Sequence, residues 1–112
     1  MILFLRLFAD CETEEQAQAI ADRVGLSLHR LAPREFAPPK RYWKISSQFE
    51  FTFTLESPTS LSFKSIIEAS SGGWAHQETG VEMLAIWSRH GDHVFLTPEV
   101  GWANVELHEE AP

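Results

Sequence analysis

Cysteine is the scarcest residue of consequence in this chain: one in 112, beside one tyrosine and two methionines. A single thiol excludes an intrachain disulfide framework and fits a reducing compartment. Proline and glycine, six of each, are too few for a fibrous or low-complexity chain. No window approaches the ~20 consecutive apolar residues of a membrane-spanning helix. Basic residues are also scarce, nine Lys and Arg against sixteen Asp and Glu, for a formal net charge of −7. Such a surface repels phosphate backbones, so general nucleic-acid binding is not expected. The opening run from Met1 to Phe8 is apolar, but no basic region precedes it and Arg6 interrupts it. It therefore does not read as a secretory leader, and a cytoplasmic location is expected.

Catalytic signatures are missing as well. The Ser-Ser-Gly-Gly73 stretch lacks the lysine of a phosphate-binding loop, and Gly-x-Ser-x-Gly does not occur. Cys11 stands just before a helix start, but Asp10, Glu12, Glu14 and Glu15 surround it and disfavour a thiolate. His90, Asp92 and His93 have spacing that a metal could use, yet Gly-Asp is ordinary turn chemistry and a third ligand would have to come from elsewhere. No general acid pair stands out among the carboxylates. The expectation is a protein that is not an enzyme, with no cofactor and no metal.

What the chain does have is bulk. It is 44% hydrophobic and 12% aromatic, with eight Phe and four Trp, enough for one core. One α+β domain over residues 1–112 is expected. Residues 2–9 read as a buried strand. Thr13 with Gln16 is a capping-box pattern, and Ala17, Ile20, Ala21 and Val24 share one helical face, with Gly25 as the stop. Residues 26–31 alternate and predict a second strand. Pro33, Pro38 and Pro39 predict a broken connection over 32–41. Residues 43–56 alternate most strongly: Trp43, Ile45, Phe49, Phe51, Phe53 and Leu55 share one face, and Ser46, Gln48, Glu50, Thr52 and Thr54 share the other.

Ser57-Pro58 predicts a helix start, and a helix over 58–70 would turn Leu61, Phe63, Ile66 and Ile67 inward. Residues 74–80 read as loop, 81–88 as strand, 89–93 as turn, 94–97 as a return strand and 102–108 as a last strand. The resulting order, β-α-β-β-α-β-β-β, begins as a ferredoxin-like split βαβ core and adds C-terminal antiparallel strands. Two helices would cover one sheet face and leave Phe4, Arg6 and Phe8 on the other.

Two stretches suit protein recognition. One is basic and aromatic: Arg34, Phe36, Lys40, Arg41, Tyr42 and Trp43. Arg, Tyr and Trp are enriched among the residues that dominate interface energies. The other lies in the acidic part of the chain, since residues 45–112 hold ten acids against two bases. There Glu78, Glu82, Glu99, Trp102, Asn104 and Glu106 are the candidate docking residues for a basic protein. A self-associating or small-molecule-binding regulatory domain, possible as a homodimer, is the alternative reading of the open face.

With its small acidic α+β domain, absence of disulfides and catalytic motifs, and the segment Glu99-Val-Gly-Trp102-Ala-Asn104-Val-Glu106, the chain resembles the small immunity proteins that bacteria make against their own secreted toxins, contact-dependent and polymorphic systems included. That resemblance implies tight inhibition of a cognate toxin, commonly a nuclease, by blocking its substrate cleft. The acidic face would then stand in for nucleic-acid phosphates.

Overall fold

The computed structural model describes residues 1–70, 72–79, 82–89 and 93–108, with backbone alone for 76–79. Among the described residues it is an α+β fold: two α-helices and one six-stranded sheet in which every pairing is antiparallel. The central strand β1 (Ile2–Asp10) buries Leu3, Leu5, Leu7 and Ala9 on the helix side and alternates with Phe4, Arg6 and Phe8 on the open side. Helix α1 (Glu14–Ser27) follows. Its N-cap Thr13 accepts from the Gln16 backbone N–H at 3.1 Å, and the Gln16 side chain takes the Glu12 N–H at 2.9 Å. Ala17, Ile20, Ala21 and Val24 form its buried face.

Gly25 does not end this helix. A mid-helix glycine costs about 0.5–1 kcal/mol, whereas burying a leucine stabilises by about 1.5–3 kcal/mol. Val24, Leu28 and Leu31 follow i, i+4, i+7, and continuing the helix turns Leu28 into the core. The strand predicted over 26–31 is therefore absent: its residues finish α1 and form a single 3-10 turn, His29–Leu31. Leu26, which alternation would have paired with Leu28, is 72% exposed.

The predicted proline loop is instead strand β2 (Pro33–Arg41) at one sheet edge. Prolines are tolerated there because an edge strand leaves some N–H positions facing solvent. Register shifts between Glu35 and Ala37 and between Ala37 and Lys40 interrupt the pairing around Pro38 and Pro39. Strand β3 (Gln48–Leu55) keeps the predicted phase, burying Phe49, Phe51, Phe53 and Leu55, but it starts at 48. Trp43 lies in the preceding loop and is 82% exposed.

Helix α2 (Ser60–Ile67) is shorter than predicted and starts later. Thr59, not Ser57, is its N-cap, accepting from Leu61 and Ser62 while the Ser62 hydroxyl takes the Thr59 N–H. Ser57 sits at φ 47°, outside any helix. Phe63 and Ile66 point inward, but Leu61 does not. Residues 74–79, read as loop, form β4 (Trp74–Thr79), which pairs with β5 (Glu82–Ser88). The predicted strand 94–97 reduces to one bridge, Phe95 to Thr97. The last strand, β6 (Val100–His108), begins before its predicted start and buries Val100, Ala103, Val105 and Leu107.

Strand order is β2-β3-β1-β6-β5-β4. A ferredoxin-like order would place the first strand after α2 beside β1. Here that strand goes to the far edge, and the chain returns through β5 so that β6 flanks β1. The slot beside β1 lies under the helices, and β6 suits it with nine residues and four buried apolar side chains. β4 has six residues.

Under the β4-β5 side the core is finished by the loop before β6. Phe95 packs on Trp74 and Trp87, with ring centroids 5.1 and 5.7 Å apart. The fully buried Trp87 donates its indole N–H to the Gly72 carbonyl at 2.7 Å and the Ser70 hydroxyl at 3.1 Å.

Candidate partner-binding face

The two-residue period that turns Leu3, Leu5 and Leu7 under the helices leaves the alternate positions of β1, β3, β5 and β6 on the opposite side. Register then sets the rows. Arg6 lies between Thr52 of β3 and Asn104 of β6, and Ile86 of β5 lies beyond Asn104. One step along, Phe8 lies between Glu50 and Trp102.

An aromatic cluster occupies the middle of this face. Phe8 packs against Trp102 at 5.2 Å and against Tyr42 at 4.5 Å between centroids. Phe4 meets the exposed Phe36 edge-on at 5.4 Å. Beside the cluster a depression of about 350 Å³ is lined by Arg6, Phe8, Tyr42, Ile45, Gln48 and Trp102. Apolar groups that remain accessible around these rings, including Trp43, Ile45 and Ile86, make the face wider than the cluster itself.

Charge is divided across the face. On the β1-β3-β2 side, Arg6 and Lys40 each lie 3.5 Å from the same carboxylate, Glu50, whose side chain is only 10% exposed. Two cations thus cover one nearly buried anion. On the β6-β5 side, the two imidazole nitrogens of His108 lie 3.6 Å from Glu82 and 3.4 Å from Glu106.

The structure separates the six candidate docking residues. Trp102, Asn104 and Glu106 alternate along β6 on the open face, and Glu82 joins them through His108. Glu99 lies elsewhere. It precedes β6 and accepts from Arg23 of α1 at 2.6 Å, on the rim of a second depression of about 360 Å³ lined also by Asp10, Gln16, Ala19 and Ile20. Burial raises the Glu99 pKa. Hydrogen bonds from Arg23 and from its own backbone N–H, the Arg23 charge and the nearby Thr97 hydroxyl outweigh that effect and hold the pKa below the usual 4.5. Thr97 Oγ1 and Glu99 Oε2 nevertheless make no hydrogen bond of standard geometry among the described residues. Glu78 falls opposite Met83 in the β4-β5 register, out of phase with Glu82.

Tyr42, Lys40 and Glu50 belong to the site although no charge or motif placed them beside Trp102. Tyr42 and Lys40 belong to the basic-aromatic segment of the sequence, and pairing of β2 with β3 is what brings them here. Cys11 is buried, with its thiol on the Thr13 carbonyl at 3.1 Å. His90 and Asp92 lie outside the described residues. Among the described residues no three His, Cys, Asp or Glu side chains group to hold a metal, and no helix is long and apolar enough to cross a membrane.

Comparison with protein families, with characterised proteins and with solved structures found no match to this chain.

Proposed function

We propose that this protein is a non-catalytic binding module, an immunity-type inhibitor that neutralises a basic bacterial toxin in the cytoplasm. A nuclease is the toxin class whose cleft an acidic face would suit. The observation that carries the reading is the strip Trp102, Asn104, Glu106 and Glu82, set beside the Phe8–Tyr42 cluster in a chain of net charge −7. An aromatic anchor in a desolvated centre with acidic groups at its margin is the layout that binds and steers a basic protein. We also read β1-α1-β2-β3-α2 with β6 as a ferredoxin-like core into which the β4-β5 hairpin is inserted ahead of the strand that flanks β1.

The test is affinity capture of the tagged protein from its native lysate at low and high salt, followed by an activity assay of whatever basic protein is retained. The expected result is stoichiometric capture that weakens with salt, and inhibition that Trp102→Ala with Glu106→Lys abolishes. Capture or inhibition unchanged by that double variant overturns the assignment.

A further inference from the structure

We infer that without its partner the open face is covered by a second copy of this chain, packed face to face about a two-fold axis that runs along the strands between β1 and β6. The inference rests on the same face as the function proposed above. It adds a resting state that the partner must displace.

The size of the face permits it. Six strands of roughly eight residues, at about 4.8 Å between strands and about 3.3 Å per residue, present on the order of 700 Å². A standard stable interface buries about 800 Å² on each partner. The composition fits as well: the half-buried Phe4 and Trp102 at the centre, backed by the covered Phe8, form with the accessible Ile86 on β5 an apolar middle inside a charged margin.

The charge layout selects the occupant and the axis. The β1-β3-β2 side carries Arg6 and Lys40 against the single carboxylate of Glu50, and the β6-β5 side carries Glu82 and Glu106. The face is therefore complementary to itself after rotation. An axis across the strands would lay β1 on β1 and set like charges against like, which is costly at an interface. An axis along the strands lays β1 over the second copy's β6 and keeps the rows level. Each Trp102 then lies over the other copy's Phe8–Tyr42 cluster, in the neighbouring row Arg6 reaches toward the other Glu106, and the same pairs recur on the far side of the axis. Such a contact is isologous and closed, as a two-fold requires. It also keeps the two sets of strands near-parallel, as in aligned sheet packing.

Sedimentation equilibrium of the full chain tests this, with no toxin present, so its result is independent of the function proposed above. Wild type is expected to be a dimer at micromolar concentration. Arg6→Glu alone and Glu106→Arg alone each place like charges across the axis and are expected to raise the dimer dissociation constant at least tenfold, with circular dichroism confirming that each is folded. An equimolar mixture of the two variants restores opposite charges at both symmetric positions and is expected to form heterodimers of wild-type stability. A monomeric wild type at about 100 μM overturns the inference, and so does a folded pair of variants that dimerise as wild type or fail to rescue one another.

Discussion

Phe8 of β1 and Trp102 of β6 face each other across one strand boundary, ring centroids 5.2 Å apart and planes tilted by 56°. Phe8 is almost wholly covered and Trp102 only partly so. The indole is thus the accessible edge of a pre-ordered aromatic pair, held at its back by Phe8, which itself packs on Tyr42. Interfaces draw much of their affinity from such anchors because little side-chain entropy remains to be lost on binding.

Replacing Trp102 with Ala and Glu106 with Lys should weaken binding of a basic partner by more than tenfold, about 1.4 kcal/mol or more. Titration calorimetry with the captured partner measures it. Glu99→Lys is predicted to behave differently, because Glu99 is engaged with Arg23 on another part of the molecule. It should lower thermal stability and leave partner affinity within twofold.

Stability should fall in acid partly through Glu99. Its folded pKa is lowered, so the stabilisation is complete above the unfolded value near 4.5 and is lost as pH drops through the folded value. Arg23→Gln removes a hydrogen bond and a charge that lower this pKa. Urea unfolding at pH 7 and at pH 3 should then show a smaller acid-induced loss in the variant than in the wild type. An equal loss in both would show that Arg23 does not hold the charge.

Two leucines separate core from surface. Leu5 is fully buried between Phe53 and Val105 in the register of the central strands. Leu5→Ala should cost about 2–5 kcal/mol, a large share of the ~5–15 kcal/mol that holds a domain folded. Leu61 is 71% exposed on α2. Its change to Ala should stay within about 0.5 kcal/mol in the same urea titration.

Gly73 lies at φ 97°, and a Cβ there would stand 2.6 Å from Trp87 Nε1 and 3.1 Å from the Ser88 carbonyl. Gly73→Ala should destabilise by about 1–3 kcal/mol through backbone strain, and the close approach adds to that cost. Loss of near-ultraviolet dichroism from the displaced Trp87 would accompany the shift in unfolding midpoint.

Part of the candidate face is legible in the sequence. Trp102, Asn104 and Glu106 share a face because they alternate within one strand, and Phe4, Arg6 and Phe8 do so for the same reason. Glu99 belongs with them by its charge and its place in the acidic C-terminal part, but it precedes β6, where the period of two does not yet apply. Lys40 reaches the site on a strand that three prolines conceal, and Tyr42 follows directly after that strand. Proline excludes a segment from the middle of a sheet, not from its edge, and only the finished sheet says which position is an edge.

The amino-acid sequence by itself determined the phase of β1 and β3, the buried face of α1, the α+β class and the acidity of the C-terminal part. Each is a local property, written by spacings of two or by i, i+3, i+4 patterns, or is a sum over residues. The tertiary structure alone decided where α1 stops, that β2 and β4 exist, and that β6 rather than β4 lies beside β1. Those outcomes depend on burial of Leu28, on which strand can fill the slot under the helices, and on pairings between residues far apart in the chain. Local patterns do not encode such choices, because their free energy is realised only when the distant surfaces meet.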